Sequence, residues 1–381
     1  MSDPLSVLVV DDSALMRNML KKIISSDEDL NVVGVAMNGR FATQKIPLLM
    51  PEVIVTDLEM PEMNGIEFLK WREKEEVDIP VIVLSAHAKE GASVTMEALS
   101  HGASDFITKP QGNGPDEIKE MGTHLISLLK AYGHNYRRRV GYVPPKRPAA
   151  AQAPEKPALS TKSSFITSHI STPATKVGGK EGVIDMTGVK GTPEMIALGI
   201  STGGPNALRQ VFAQISPRMP LPIVVVQHMP AGFTKEFANS LDKISPLEVK
   251  EAQHGDLLKP GRILIAPGDK HVEVEKRKLA TIITLSDAPP HNGHKPSAGV
   301  LFESVCKNFG ENCLAVIMTG MGRDGSSEIG DIFRRGGMTI AQDEGSSVVF
   351  GMPRVAIEKN NIREIVSLNN MARRLNELTG C

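Results

Sequence analysis

The 381-residue sequence holds only three cysteines, Cys306, Cys313 and Cys381. Their odd number and the lack of metal-type pairing with nearby histidines argue against a disulfide framework or a zinc site. They point instead to a reducing compartment, with two buried apolar thiols and one frayed terminal one. An excess of charge is missing too: 43 Lys plus Arg stand against 44 Asp plus Glu. No global field therefore recruits nucleic acid or an anionic membrane surface. No run of 18 apolar residues occurs, and Met1-Ser2-Asp3-Pro4 has neither a basic n-region nor a signal-type apolar run. A soluble, cytoplasmic protein without direct membrane insertion is expected.

The length exceeds the ~250–300 residues at which single cores stop growing, which implies two domains. From Ser6 to about Lys130, apolar runs (Val7-Val10, Val32-Ala36, Val53-Thr56, Val81-Leu84, Phe106-Thr108) alternate with amphipathic stretches near 14–26, 40–50, 64–76, 90–100 and 115–130. That alternation predicts a five-stranded parallel sheet covered on both faces, an open doubly wound α/β fold of the flavodoxin-like kind. Pro-, Ala-, Ser-, Thr- and Lys-rich sequence without an apolar period follows, beginning with Arg137-Arg138-Arg139 and Pro144-Pro145. Such a stretch buries too little surface to offset its ordering entropy, so it reads as a long linker with solvated charge, part of which has room to order against a domain. Alternation resumes with Met195-Ile200, Ile223-Gln227, Arg262-Ala266, Leu314-Thr319 and Met338-Ala341, giving a second doubly wound α/β domain. Val272-Lys278 and Leu279-Leu285 alternate like a solvent-facing hairpin and predict an antiparallel edge. The expected division is 1–133, linker 134–191, and 192–381.

In the first domain Asp11 and Asp12 close the first strand, Asp57 follows the third, Ser85 the fourth and Lys109 the fifth. The ends of parallel strands share one edge, where ligands bind in such folds. Three carboxylates there suit Mg²⁺, which offsets their repulsion and frees Asp57 as a nucleophile toward phosphorus. Lys109 is placed to pair with an acyl phosphate, and Ser85 to hydrogen-bond a phosphoryl oxygen. A lone carboxylate at a strand end is more often a cap, as Asp12 would be for the helix starting near Ser13. Four such positions in register argue against coincidence.

In the second domain Gly199-Ile200-Ser201-Thr202-Gly203-Gly204-Pro205 follows a buried strand and opens a helix. A serine at such a bend can expose its hydroxyl as a nucleophile, and the free N–H groups of the helix start favour developing negative charge. The same turn could cap the helix or hold a phosphate. His228 ends the next strand, where it could take the hydroxyl proton or serve as a structural hydrogen bonder. Asp324, in Met318-Thr319-Gly320-Met321-Gly322-Arg323-Asp324-Gly325, could orient the imidazole or simply sit in a tight turn. The chain order Ser, His, Asp differs from that of common α/β-hydrolases.

Across residues 5–130, Val9-Val10-Asp11-Asp12-Ser13, Asp57 with Met60-Pro61-Asn64-Gly65, and Lys109-Pro110 resemble the receiver domains of two-component response regulators. The resemblance implies phosphorylation of Asp57 by a histidine kinase, a metal site at Asp11, Asp12 and Asp57, and Phe106 as the switch aromatic. Across 195–375, Gly199 to Pro205, Gln227-His228-Met229-Pro230 with Gly232-Phe233-Thr234, Ile265-Ala266-Pro267-Gly268 with His271, and Met318 to Gly325 resemble the chemotaxis protein-glutamate methylesterases, the CheB family. That resemblance implies Ser201 as nucleophile, His228 as general base and acid, Asp324 as orienter, and the backbone N–H groups of Thr202 and Met321 as oxyanion donors. The implied substrate is a glutamate methyl ester, or a glutamine side-chain amide, on a chemoreceptor. No cofactor is implied for the esterase chemistry, and a monomer is expected. It further implies that the unphosphorylated receiver covers the hydrolytic cleft.

The sequence departs from the family where an acidic residue is usual and Gly299 stands, and its linker is long. His271, His291 and His294 are not assigned to catalysis. The competing reading is a non-enzymatic regulator binding a phosphorylated ligand at Gly203-Gly204; a transcription factor would need a basic recognition helix that the sequence lacks.

Overall fold

A computed structural model describes residues 3–86, 89–110, 114–141 and 179–381. In the first domain the chain runs β1 (Leu5–Val10), α1 (Ala14–Ile24), β2 (Leu30–Ala36), α2 (Gly39–Leu49), β3 (Val53–Asp57), α3 (Gly65–Lys74), β4 (Val81–Ser85), α4 (Lys89–Ser100), β5 (Asp105–Thr108) and α5 (Pro115–Arg139). The strands form one parallel sheet in the order β2-β1-β3-β4-β5. β3 and β4 are buried from end to end, which is why they read as continuous apolar runs rather than alternations. Side-chain caps fix where helices begin. Ser13 caps α1, Asn38 caps α2, and Asn64 with Glu67 makes a capping box at α3. Neighbouring strands diverge from β1, so the crevice between the ends of β1 and β3 is the place for a ligand.

The second domain comprises β6 (Gly182–Val183), β7 (Ile196–Ile200), α6 (Gly204–Phe212), β8 (Ile223–Gln227), α7 (Phe233–Asp242), β9 (Glu248–Glu251), β10 (Arg262–Ile265), β11 (His271–Lys276), β12 (Thr281–Ser286), α8 (Ala298–Phe309), β13 (Leu314–Ile317), α9 (Ile329–Arg335), β14 (Met338–Gln342), α10 (Met352–Glu358), β15 (Glu364–Val366) and α11 (Leu368–Thr379). Its sheet has the order β6-β15-β14-β13-β7-β8-β10-β9, parallel except for β6. The chain builds outward from β7 through β8 and then returns to the other side at β13. The switch point, and the crevice it opens, therefore lies at the ends of β7, β8 and β13.

Three features differ from the sequence expectation. The hairpin β11–β12 stands as its own two-stranded sheet, and the antiparallel edge of the large sheet is β6 on β15. Val272, Val274 and Ile283 bury against α8 residues in the apolar cluster on that face, so the alternating pattern reports packing on a helix rather than on the sheet edge. Helix α5 runs on to Arg139, inside the stretch read as linker, because Arg137 pairs with Glu52 and donates to the carbonyls of Asp3 and Pro4. At the other end of that stretch Gly182–Val183 adds a strand. Pro144-Pro145 and most of the linker lie outside the described residues. Cys306 and Cys313 are buried and free, and Cys381 is half-buried; burial pushes the Cys313 thiol up to about 12.

The two domains touch. One apolar cluster contains residues of both, and Phe106 of β5 stacks on Phe233 of α7 with ring centroids 5.1 Å apart. The Asp105 carboxylate accepts from the Gly203 N–H at 3.1 Å, Asn206 donates to the carbonyls of Ala103 and Ser104, and Asn135 donates to that of Val348.

Candidate active site and phosphoacceptor site

Strand register sets the geometry of the second site. Ile200 pairs directly with Gln227 across β7 and β8, so the residues that follow, Ser201 and His228, leave adjacent strand ends together. The His228 N–H donates to the Ile200 carbonyl. On the other flank the Ser201 N–H donates to Thr319 at 2.9 Å, and the Thr319 hydroxyl donates to the Thr202 carbonyl, which ties the turn after β13 to the turn after β7. Gly320 makes this approach possible, since a Cβ there would lie 2.8 Å from the Ser201 Cβ. The bend itself closes through Gly204 N–H to the Ser201 carbonyl at 2.7 Å, with Gly203 at φ 77°.

His228 Nε2 lies 2.8 Å from Asp324 Oδ2. His228 Nδ1 is buried without a hydrogen-bond partner, and the Ser201 hydroxyl makes no hydrogen bond among the described residues. The structure thus joins His228 to Asp324 and places Ser201 beside them, without drawing a bond from serine to imidazole. The N–H groups of Thr202 and Met321 donate to no other described residue. Thr202 is buried and Met321 exposed.

Asp324 is fully enclosed. Ser297 Oγ donates to it at 2.6 Å, the Ala298 N–H at 2.7 Å and the Gly299 N–H at 3.3 Å, so the carboxylate caps the first turn of α8. Burial alone would raise its pKa, but the hydrogen bonds from His228, Ser297 and Ala298 outweigh that and hold it at about 2. Because the folded value lies below the ordinary 3.8, the group stabilises the fold above that pH, and the contribution is lost as pH falls toward 2. The gap amounts to about 2 kcal/mol. Asp324→Asn should therefore unfold more easily than the wild type in urea at pH 6, with the two converging near pH 2; equal midpoints at pH 6 would contradict this.

Two further contributors stand in the sequence, Gln227 within the motif around His228 and His294 among the unassigned histidines, but nothing there gave them a role. Gln227 donates through Nε2 to the carbonyls of both Ser201 and His228, bracing the bend, and its Oε1 would lie 1.9 Å from any Cβ at position 204. His294 stacks face to face on His228, with centroids 3.9 Å apart and planes 9° off parallel. His271 lies away from this chemistry, buried with Nε2 against the Pro289 carbonyl. Both glycine amides that a bound phosphate would want are committed, Gly203 to Asp105 and Gly204 to Ser201.

In the first domain, donor atoms of Asp11, Asp12 and Asp57 lie within 4.8 Å of one another. Lys109 Nζ sits 2.6 Å from Asp57 Oδ2 and 3.9 Å from Asp11 Oδ2. Burial, then the Asp57 charge, raises the Asp11 carboxyl to about 6, and its Oδ2 is buried without a hydrogen bond. One ammonium does not neutralise three carboxylates, so the cluster fits a hard divalent cation. Ser85 is the outlier: its hydroxyl is engaged with Ala86, Gly91 and Thr95 at the start of α4 and forms no hydrogen bond with the carboxylates. Phe106 lies not in a solvent groove but inside the contact between domains.

Comparison with known proteins gives two family matches: CheB methylesterase over residues 196–375 and response regulator receiver domain over residues 7–121. A Treponema denticola protein named protein-glutamate methylesterase/protein-glutamine glutaminase is 52% identical over 375 residues, covering 98% of both chains. One of the same name from Treponema pallidum is 46% identical, over 98% of this chain and 97% of its own. The crystal structure of the Thermotoga maritima CheB methylesterase catalytic domain is 36% identical, with a TM-score of 0.48, covering 49% of this chain and 98% of its own.

Proposed function

This chain belongs to the CheB family of protein-glutamate methylesterases/protein-glutamine glutaminases, and from that premise we propose how its own residues perform the family's reaction. It is a response regulator whose hydrolase domain demethylates glutamate methyl esters, and deamidates glutamines, on chemoreceptors in chemotaxis. The observation that supports the residue assignment is the His228–Asp324 hydrogen bond at a strand end directly beside Ser201.

In this reading the Ser201 hydroxyl attacks the side-chain carbonyl carbon, and its proton passes to Nδ1 of His228, the ring nitrogen left without a partner. Asp324, deprotonated far below neutral pH, accepts the hydrogen bond from Nε2–H and stabilises the imidazolium while itself staying ionised. The oxyanion is received by the N–H groups of Thr202 and Met321, which donate to no other group among the described residues. His228 returns the proton to the departing methoxide or amine, giving methanol or ammonia. Water then attacks the acyl-serine, losing a proton to His228; His228 passes that proton to the departing Ser201 oxygen, which restores the hydroxyl and releases the glutamate side-chain acid, ionised at neutral pH.

The receiver's partner is a histidine kinase, and the phosphoryl acceptor in this reading is Asp57. Mg²⁺ would be held by Asp11, Asp12 and Asp57 and supply charge neutralisation during transfer. Lys109 links that site to the domain contact. It pairs with Asp57 and follows β5, the strand that carries Asp105 and Phe106 onto the second domain. Redirecting Lys109 to a phosphoryl oxygen loosens β5 from the hydrolase domain and opens the crevice, a population shift needing only a few kcal/mol. A cytoplasmic monomer belongs to this reading; nucleic acid and membrane insertion have no part in it. No helix among the described residues is long and apolar enough to cross a membrane.

The experiment is methanol release from a methylated chemoreceptor fragment. Release by the purified chain is expected, and no release above the spontaneous rate would overturn the activity.

A further inference from the structure

We propose that Glu328 is a positioning residue for His228, acting through the turn that carries His291 and His294. The proposal rests on the catalytic reading of His228. Residues 291–294 form a closed two-residue turn, with His291 and His294 exchanging backbone hydrogen bonds at 3.1 and 3.0 Å. Asn292 and Gly293 both adopt positive φ, 52° and 82°, as an Asn-Gly turn of this class requires. One leg of the turn stacks His294 on the His228 ring, and burial together with the His228 charge lowers His294 to about 4. His294 is therefore an uncharged plate at working pH, so it fixes the ring plane without opposing a proton on His228.

The other leg is anchored by Glu328, at the start of α9, whose Oε1 lies 3.3 Å from His291 Nε2. Asp324 holds only one nitrogen of His228, which leaves the ring free to swing about that contact unless its face is held. The stack supplies that restraint, and Glu328 holds the stack in place.

Gly299 makes room for the arrangement. A Cβ at 299 would lie 3.0 Å from the His291 ring and 3.1 Å from the Glu328 carboxyl carbon. An acidic side chain at 299 and the one at 328 therefore compete for the same space beside His291, and this chain places its carboxylate at 328. Glu303, one helical turn beyond Gly299 and exposed, has a donor atom within 4.8 Å of both partners. Without Glu328 it would draw His291, and the turn with it, outward.

The test is a cycle of variants in the full-length chain, read as kcat and KM for methanol release from methylated receptor. Glu328→Ala should lower kcat about tenfold and leave KM within about twofold, as expected when a reacting group is misplaced while binding is kept. Gly299→Asp alone should also lower kcat, by crowding Glu328. The double variant Gly299→Asp/Glu328→Ala should recover most of the wild-type kcat, because the carboxylate then reaches His291 from 299. Glu328→Gln, of nearly the same shape, should fall between wild type and Glu328→Ala and separates lost charge from lost folding. Glu303→Gln should match wild type. A Glu328→Ala kcat within twofold of wild type, or a double variant no better than the worse single one, overturns the proposal. Ser201→Ala in the same assay keeps the two readings apart: if it still releases methanol the catalytic assignment fails, and if it is inactive while the cycle shows no coupling only the role of Glu328 fails.

Discussion

Ser201→Ala is expected to abolish methanol release from methylated receptor, a loss of at least about 10⁴-fold in kcat. The substitution removes one oxygen and leaves the bend intact. The bonds that shape the turn run through the Ser201 backbone, its N–H to Thr319 and its carbonyl from Gly204 and Gln227. The hydroxyl itself makes no hydrogen bond among the described residues, so thermal stability should stay within about 0.5 kcal/mol of wild type. A large loss of turnover without loss of stability is the signature of a nucleophile. Near-normal methanol release from this variant would remove Ser201 from the mechanism and, with it, the roles of His228 and Asp324.

Removing residues 1–141 is expected to raise esterase activity about tenfold over the unphosphorylated full chain, equivalent to lifting a block of roughly 1.4 kcal/mol. The contact removed is specific. Asp105 holds the N–H of Gly203, two residues past the nucleophile, and Phe106 covers Phe233 at the head of α7. Asn206, in the first turn of α6, is bonded to the receiver as well. The receiver therefore sits on the helices that flank the ends of β7 and β8, the strands that Ser201 and His228 follow. Burial raises the pKa of Asp105 although the Phe106 N–H, the Gly203 N–H and the Tyr132 hydroxyl all donate to its carboxylate. The fragment exposes Phe233, so its folding must be checked by circular dichroism; a folded fragment no more active than the whole chain would contradict occlusion.

How far the sequence carried this account depended on whether the determining contact was local. The buried strands were legible because Ile223-Val224-Val225-Val226 and Leu314–Ile317 are unbroken apolar runs, and because strand ends in a parallel sheet share an edge. That alone put Ser201, His228 and Asp324 near one another. Strand β9, Glu-Val-Lys-Glu, was not legible, since an edge strand with charged side chains looks like a loop. Three-residue β15 is too short to show a period. The hydrogen bonds that Ser297 and Ala298 donate to Asp324 span 26 residues or more, and the stack of His294 on His228 spans 66, so neither leaves a trace in any local pattern. The docking of Phe106 on Phe233 had the same limit. The resemblance named the aromatic Phe106 in β5, but only the fold says what lies against it.

The most direct measurement of the central claim is the initial rate of methanol release from methylated receptor by the full-length chain, with and without a small-molecule phosphodonor and Mg²⁺, run beside Asp57→Asn. The account predicts a severalfold or greater rise on adding donor and Mg²⁺ to the wild type, and no rise in Asp57→Asn. A rate indifferent to the donor in the wild type, or an equal rise in the variant, would break the link drawn here between Asp57, Lys109 and β5 on one side and Ser201 on the other.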